Sequence, residues 1–314
     1  MNGRQKGISA ALGSALFLGL TPVFGKQAML LGFTPLAVVA VRSTLAVILL
    51  FFFLLIFKRS FFYIYPVGLV GCTLAGIVNG LGSILYYNAL SRLDASVGQL
   101  LYAFYPLFVA LWLFLDRQPL SRMTLVRLTI SVPGVFLLVS SVNSAADLAG
   151  AGMMIGAAAL YALHLLINQR VLYDAPAPTV TFYTLVAMAI TVAIAFVSFK
   201  PELPAVDVIW WPLISLGVIT FLSRLTLFLG VKHLGGIQTA LLGLAELLIT
   251  VVLAITWLGE RLTPVQWIGA LLICANLLLV AYDKIVPQKR KGKGFLSWLN
   301  PRRIHMSDIP LQDQ

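Results

Sequence analysis

Ten runs of about twenty apolar residues, separated by short polar or Pro/Gly breaks, constrain this chain more than any other feature. A helix needs about 20 apolar residues to cross a hydrocarbon core of roughly 30 Å. Within lipid, every backbone polar group must be bonded inside the segment or a closed barrel. The runs are 8–31, 35–57, 66–90, 95–115, 123–141, 150–172, 179–199, 208–231, 237–258 and 264–282. They predict an all-α membrane protein. Composition agrees: 60% of the residues are hydrophobic, 11% are charged and the mean hydropathy is +0.96, whereas about a quarter of a soluble domain is charged. The first run is longer than the roughly 7 to 15 apolar residues of a signal peptide and has no A-x-A site, so it reads as a span.

Charge sets the orientation. With ten spans and both termini on one side, fifteen Lys and Arg fall on that side and only Arg92, Lys200 and Arg261 on the other. The positive-inside rule then puts both termini in the cytoplasm of a multi-pass cell-membrane protein. The net charge of +11 owes much to the cluster after residue 283, so it does not describe a nucleic-acid-binding surface. Around residues 287–314, Lys289, Arg290, Lys291, Lys293, Arg302 and Arg303 flank Phe295, Leu296, Trp298 and Leu299. This pattern suits contact with anionic lipid headgroups, and it equally serves as a topology signal.

Catalytic signatures are missing. There is no Walker loop, dinucleotide fingerprint, HExxH or GxSxG motif, so no cofactor, metal or enzymatic role is expected. Cys72 and Cys274 both lie within apolar runs and read as small core residues rather than a redox pair.

A weak repeat runs through the chain. At an offset of about 142, Leu100 pairs with Leu242, Ala103 with Ala245, Leu111 with Leu253 and Leu137 with Leu279. At 143, Gly13 pairs with Gly156, Ala15 with Ala158 and Pro35 with Pro178. The expected organisation is two five-helix halves, 1–143 and 144–286, followed by a basic cytoplasmic tail, 287–314. An odd number of spans per half forces the second copy to enter the membrane inverted, as in many secondary transporters.

The stretch Leu244-Ala245-Glu246-Leu247, the motif Trp257-Leu258-Gly259-Glu260-Arg261-Leu262-Thr263 and Gly269 resemble the EamA family of the drug/metabolite transporter superfamily. In the first half, Val41-Arg42 and Tyr105-Pro106-Leu107-Phe108-Val109-Ala110 carry the same resemblance. It implies ten helices as two inverted repeats, a central cavity, and transport, often export, of small metabolites such as amino acids.

Charged residues inside spans need individual explanations, because even lenient scales assign about 2.5 to 3.5 kcal/mol to a charge at mid-bilayer. Arg127 lies near a span end and can snorkel to headgroups. Lys26 and Arg42 sit in the outer third of consecutive spans, where they could bind a carboxylate or phosphate together. The alternatives are snorkelling for Lys26 and interhelical bonding for Arg42. Glu246 lies nine residues past Ile237, roughly 13 Å into the ninth span, and Arg224 is at nearly the same depth in the eighth. The two read either as a neutralising ion pair or as a cavity carboxylate tuned for coupling or amine binding. His164 is the histidine well inside a helix, a proton relay or a packing residue. Asn79, Ser83, Tyr86, Tyr87, Tyr102 and Tyr105 could line a polar cavity or bond helix to helix. Gly76/Gly80 and Gly152/Gly156 are small-xxx-small pairs that permit close approach, and Pro22, Pro106 and Pro133 can break helices.

The sequence thus points to a secondary transporter that exports a small polar metabolite, such as an amino acid, by alternating access in contact with membrane lipids. Proton coupling and a homodimer are compatible with it. A membrane-embedded sensor, a lipid-modifying enzyme and a channel are the rival readings.

Overall fold

The computed structural model of the chain describes residues 3–116, 145–201, 209–243 and 245–279, with positions 126, 129, 130, 133 and 137 between them. Apart from the turns, these residues are helical. The helices are α1 (Gly3–Leu30), α2 (Pro35–Phe57), α3 (Pro66–Leu90), α4 (Ala95–Tyr102), α5 (Tyr105–Leu115), α6 (Ala145–Leu172), α7 (Ala177–Phe199), α8 (Trp211–Leu234), α9 (Gly236–Gly243), α10 (Ala245–Trp257) and α11 (Pro264–Leu279). Seven segments among the described residues are long and apolar enough to cross a membrane, counting 95–115 as one. The expectation of ten continuous spans is therefore met only in part. The fifth run, Arg127 and the tail 287–314 lie largely or wholly outside the described residues, and the ninth run is helical on both sides of position 244, which itself lies outside them.

Local chemistry sets the helix ends. Proline opens α2, α3 and α11 and enters the first turn of α5, α7 and α8, where its missing N–H costs nothing. Gly32, at φ +95°, ends α1, with the Phe33 amide bonding the Ala28 carbonyl at 3.2 Å. Gly259, at φ +70°, ends α10 in the same way, with the Glu260 amide on Ala254. Only glycine enters this left-handed region at little cost, so these two positions decide where the chain turns. Thr263 and Gln266 then form a reciprocal capping box for α11.

The turn at Gly259 has a distant consequence. It sends the Glu260 carboxylate to the N-terminus of α4, where it accepts the Ala95 and Ser96 amides at 2.7 and 2.9 Å and the Ser96 hydroxyl at 2.6 Å. A carboxylate on free helix-start amides is a charge-assisted cap. Glu260→Ala is expected to destabilise the protein by about 1–3 kcal/mol. It should also speed hydrogen exchange at Ala95 and Ser96 while leaving the middle of α3 unchanged. Unchanged exchange at those two amides would contradict the cap.

Packing joins the two halves throughout. α1 lies along α8 and α3 along α6; α2 touches α7 and α8, and α3 touches α7. α1 meets α9 and α10, α6 meets α4 and α5, α4 meets α10, and α5 meets α9. Exchanging α1–α5 with α6–α10 converts this set of neighbours into itself. Gly76 makes the approach of α3 to α7 possible: a Cβ there would stand 2.6 Å from the Thr184 carbonyl oxygen. The Gly152/Gly156 pair meets no such constraint, since nothing lies within 4 Å of a Cβ at Gly152. Pro22 lies within an unbroken α1.

Large fully buried side chains include Leu50, Leu54, Tyr87, Leu90, Leu100, Leu165 and Phe228. Phe52, Ile56, Phe57, Ile194, Val197 and Val252 are more than half exposed. Apolar surface of this kind on long apolar helices is what lipid covers. The chain is a multi-pass membrane protein.

Candidate functional site

An interrupted helix meets the core of the bundle. Pro106 has no N–H to give the Tyr102 carbonyl one turn back, and its ring crowds that carbonyl, so the helix stops at Tyr102 and restarts at Tyr105. In the second half, α9 and α10 carry the corresponding run, with Glu246 in α10.

Beside this break, residues of α1, α2, α3, α4, α6, α8 and α10 line a cavity of about 40 Å³. Its charged and polar wall is Arg42, Asn79, Ser83, Gln99, Arg224 and Glu246, with Tyr86, Tyr87, Tyr102 and Tyr161 as aromatic wall. Arg42, Arg224 and Glu246 are only 4%, 5% and 2% exposed. Charges this deep must be held by specific neighbours.

Arg42 donates from its Nη atoms to Thr220 Oγ1 at 3.2 Å and Ser83 Oγ at 3.1 Å. Its guanidinium lies 4.9 Å from the centre of the Tyr87 ring. Arg224 donates through Nη2 to Asn79 Oδ1 at 3.4 Å and lies 5.4 Å from the Tyr161 ring. Both cations are thus supported by aromatic faces and neutral oxygens. Arg42 Nε and Arg224 Nε and Nη1 are buried without a hydrogen-bond partner among the described residues. Glu246 accepts from Gln99 Nε2 at 3.0 Å, and Gln99 Oε1 in turn accepts from the Tyr86 hydroxyl at 3.2 Å. Three of these bonds cross between the halves: Arg42 to Thr220, Arg224 to Asn79 and Gln99 to Glu246.

Of the residues singled out from sequence, Arg42, Asn79, Tyr102, Arg224 and Glu246 come together on this cavity. Among the described residues Arg224 and Glu246 do not form an ion pair; each bonds a neutral amide instead. Lys26 is not among the residues that line the cavity and donates to the Leu90 and Leu93 carbonyls at 2.9 and 2.7 Å, one at the end of α3 and one in the turn that follows. Tyr105 packs behind Tyr102 and Tyr161, with ring centroids 5.8 and 5.1 Å away. His164 lies under Tyr161, with Nδ1 3.2 Å from the Ala75 carbonyl and 3.1 Å from Asn168 Nδ2. Gln99, Tyr161, Ser223 and Thr220 were not singled out. Gln99 had a usable signal, a polar side chain in the apolar run 95–115 one turn before Tyr102.

Comparison with known proteins agrees with the two-half packing. The model of the EamA-like transporter family matches twice, over residues 5–140 and 148–282. An uncharacterized transporter of Synechocystis is 26% identical over 232 residues, 71% of this chain and 69% of that protein. A protein of Salmonella typhimurium described as a probable amino-acid metabolite efflux pump is 30% identical over 200 residues, 59% of this chain and 67% of its own length. An uncharacterized transporter of Bacillus subtilis is 28% identical over 191 residues, 57% of this chain and 60% of its own length. A solved crystal structure shares the fold, with a TM-score of 0.66 at 18% identity, covering 87% of this chain and 98% of that one. Two matches that together span nearly the whole helical bundle place the chain in the EamA-like transporter family.

Proposed function

We propose that the protein is a secondary transporter that exports amino acids or related small polar compounds, with the cavity between its halves as the substrate site. The observation that carries this reading is the cavity wall itself: two buried guanidiniums with donors unpartnered among the described residues, a buried carboxylate and a tyrosine wall, contributed by both halves. Arg42 and Arg224 take a carboxylate, Glu246 takes an ammonium or a proton, and Asn79, Tyr102 and Gln99 shape the space between them. The Salmonella relative's description as an amino-acid metabolite efflux pump supports the substrate class. Tyr105, His164 and Lys26 act from behind the wall: the first two fix Tyr161, and Lys26 ties the end of α3.

The packing exchange between α1–α5 and α6–α10 supports two inverted repeats. Alternating access is then a rocking of one half against the other. The asymmetry of basic residues supports termini in the cytoplasm.

Efflux from proteoliposomes loaded with a panel of amino acids tests this reading. Saturable efflux of at least one class is expected, and Glu246→Gln should lower its rate at least tenfold without loss of folded protein. Unsaturable flux would point to a channel. No flux from correctly inserted protein, accompanied by conversion of a lipid or solute, would point to an enzyme.

A further inference from the structure

The charges that line the cavity do not cancel. Arg42 and Arg224 contribute two positive charges, and Glu246 is the carboxylate on the wall. Whether Glu246 is ionised or protonated, at least one positive charge is left over. Among the described residues neither guanidinium has a carboxylate partner, and three of their nitrogens are buried without a hydrogen-bond partner. A buried cation without a counter-charge is costly, and the cost is relieved when a ligand brings the missing negative charge.

The placement of the two cations adds a distance. Arg42 bonds Ser83 and Arg224 bonds Asn79, and these two residues are one turn apart on the same face of α3. At 1.5 Å per residue the two anchor points lie roughly 6 Å apart along the helix. Glu246 joins the cavity wall from α10. The complement of two guanidiniums and one carboxylate is a small molecule with two carboxylates and one ammonium.

We infer that the cavity selects solutes of net charge −1, and that dicarboxylic amino acids are the class that matches all three of its charges. This rests on the reading of the cavity as an amino-acid site. It goes further by distinguishing acidic from neutral amino acids of the same size.

The test uses isosteric pairs that differ in charge and hardly in shape. Wild-type protein in proteoliposomes is given labelled glutamate against glutamine, and aspartate against asparagine, each competed by the unlabelled partner. At least a tenfold preference for the acidic member is expected in both pairs. Arg224→Gln removes the surplus charge and should bring the ratio toward parity, while Arg224→Lys, which keeps the charge, should retain most of the preference.

Equal or better transport of glutamine and asparagine by wild-type protein would overturn the inference and leave amino-acid transport standing. A ratio unchanged in Arg224→Gln would overturn it as well. Transport of none of the four, while other amino acids are carried, overturns only the charge match. Transport of no amino acid at all overturns both readings.

Discussion

Arg42→Ala is expected to lower transport about a hundredfold or more, with folded protein still recovered from the membrane. A hydrogen bond to a charged group is worth roughly 1.5–3 kcal/mol, and a bidentate contact with a substrate carboxylate supplies two. Each 1.4 kcal/mol is a factor of ten. The substitution also releases Thr220 and Ser83, but both are hydroxyls, and Thr220 keeps its bond to the Leu216 carbonyl at 2.7 Å. The bundle should therefore survive. Arg42→Lys restores a positive point charge without the planar fork, so it should recover part of the lost activity. Initial rates of exchange measured alongside gel-filtration profiles in detergent check both variants. Near-normal rates in Arg42→Ala would remove this residue from the substrate site.

Asp116→Ala should have the largest effect on stability. Asp116, in the turn after α5, forms an ion pair with Arg170, in the last turn of α6. Their side chains are 1% and 9% exposed. Removing one partner strands the other charge, which typically costs about 3–5 kcal/mol, whereas replacing both with apolar residues can be close to neutral. For a chain of this size each kcal/mol moves the thermal midpoint by roughly 2–4 °C, so a fall of about 10 °C is expected. Asp116→Leu combined with Arg170→Met should recover most of it. Additive losses in the double variant would show that the two residues do not act as a pair.

Most of the helical layout was legible in the sequence, because a span announces itself by length and apolarity alone. The interruption at Pro106 was legible for the same kind of reason, a missing N–H. Depth along a helix was also readable: Arg224 and Glu246 do reach the same cavity. Rotation about the helix axis was not. Helices apolar on every side give no stripe from which to tell a neighbour from lipid, so the expected meeting of Arg224 with Glu246 could not be checked against Asn79 and Gln99.

Lys26 illustrates the same limit. Its depth matched that of Arg42, but its side chain turns to carbonyls at the end of α3 and in the turn that follows, which the sequence gives no means of placing in space. Glu260 belongs to the stretch that carried the family resemblance, yet its role as a cap for α4 depends on a contact 165 residues distant in sequence. Contacts of that range come from the packing of the halves, not from any local pattern.

Counterflow is the most direct test of a shared, alternately exposed site between the halves. Proteoliposomes are loaded with a saturating unlabelled amino acid and placed in a trace of the same compound carrying label. A transient accumulation of label above equilibrium is predicted for wild-type protein, and none for Arg42→Ala. Label that only equilibrates with wild-type protein for every amino acid tried, or an overshoot that persists undiminished in Arg42→Ala, would contradict it.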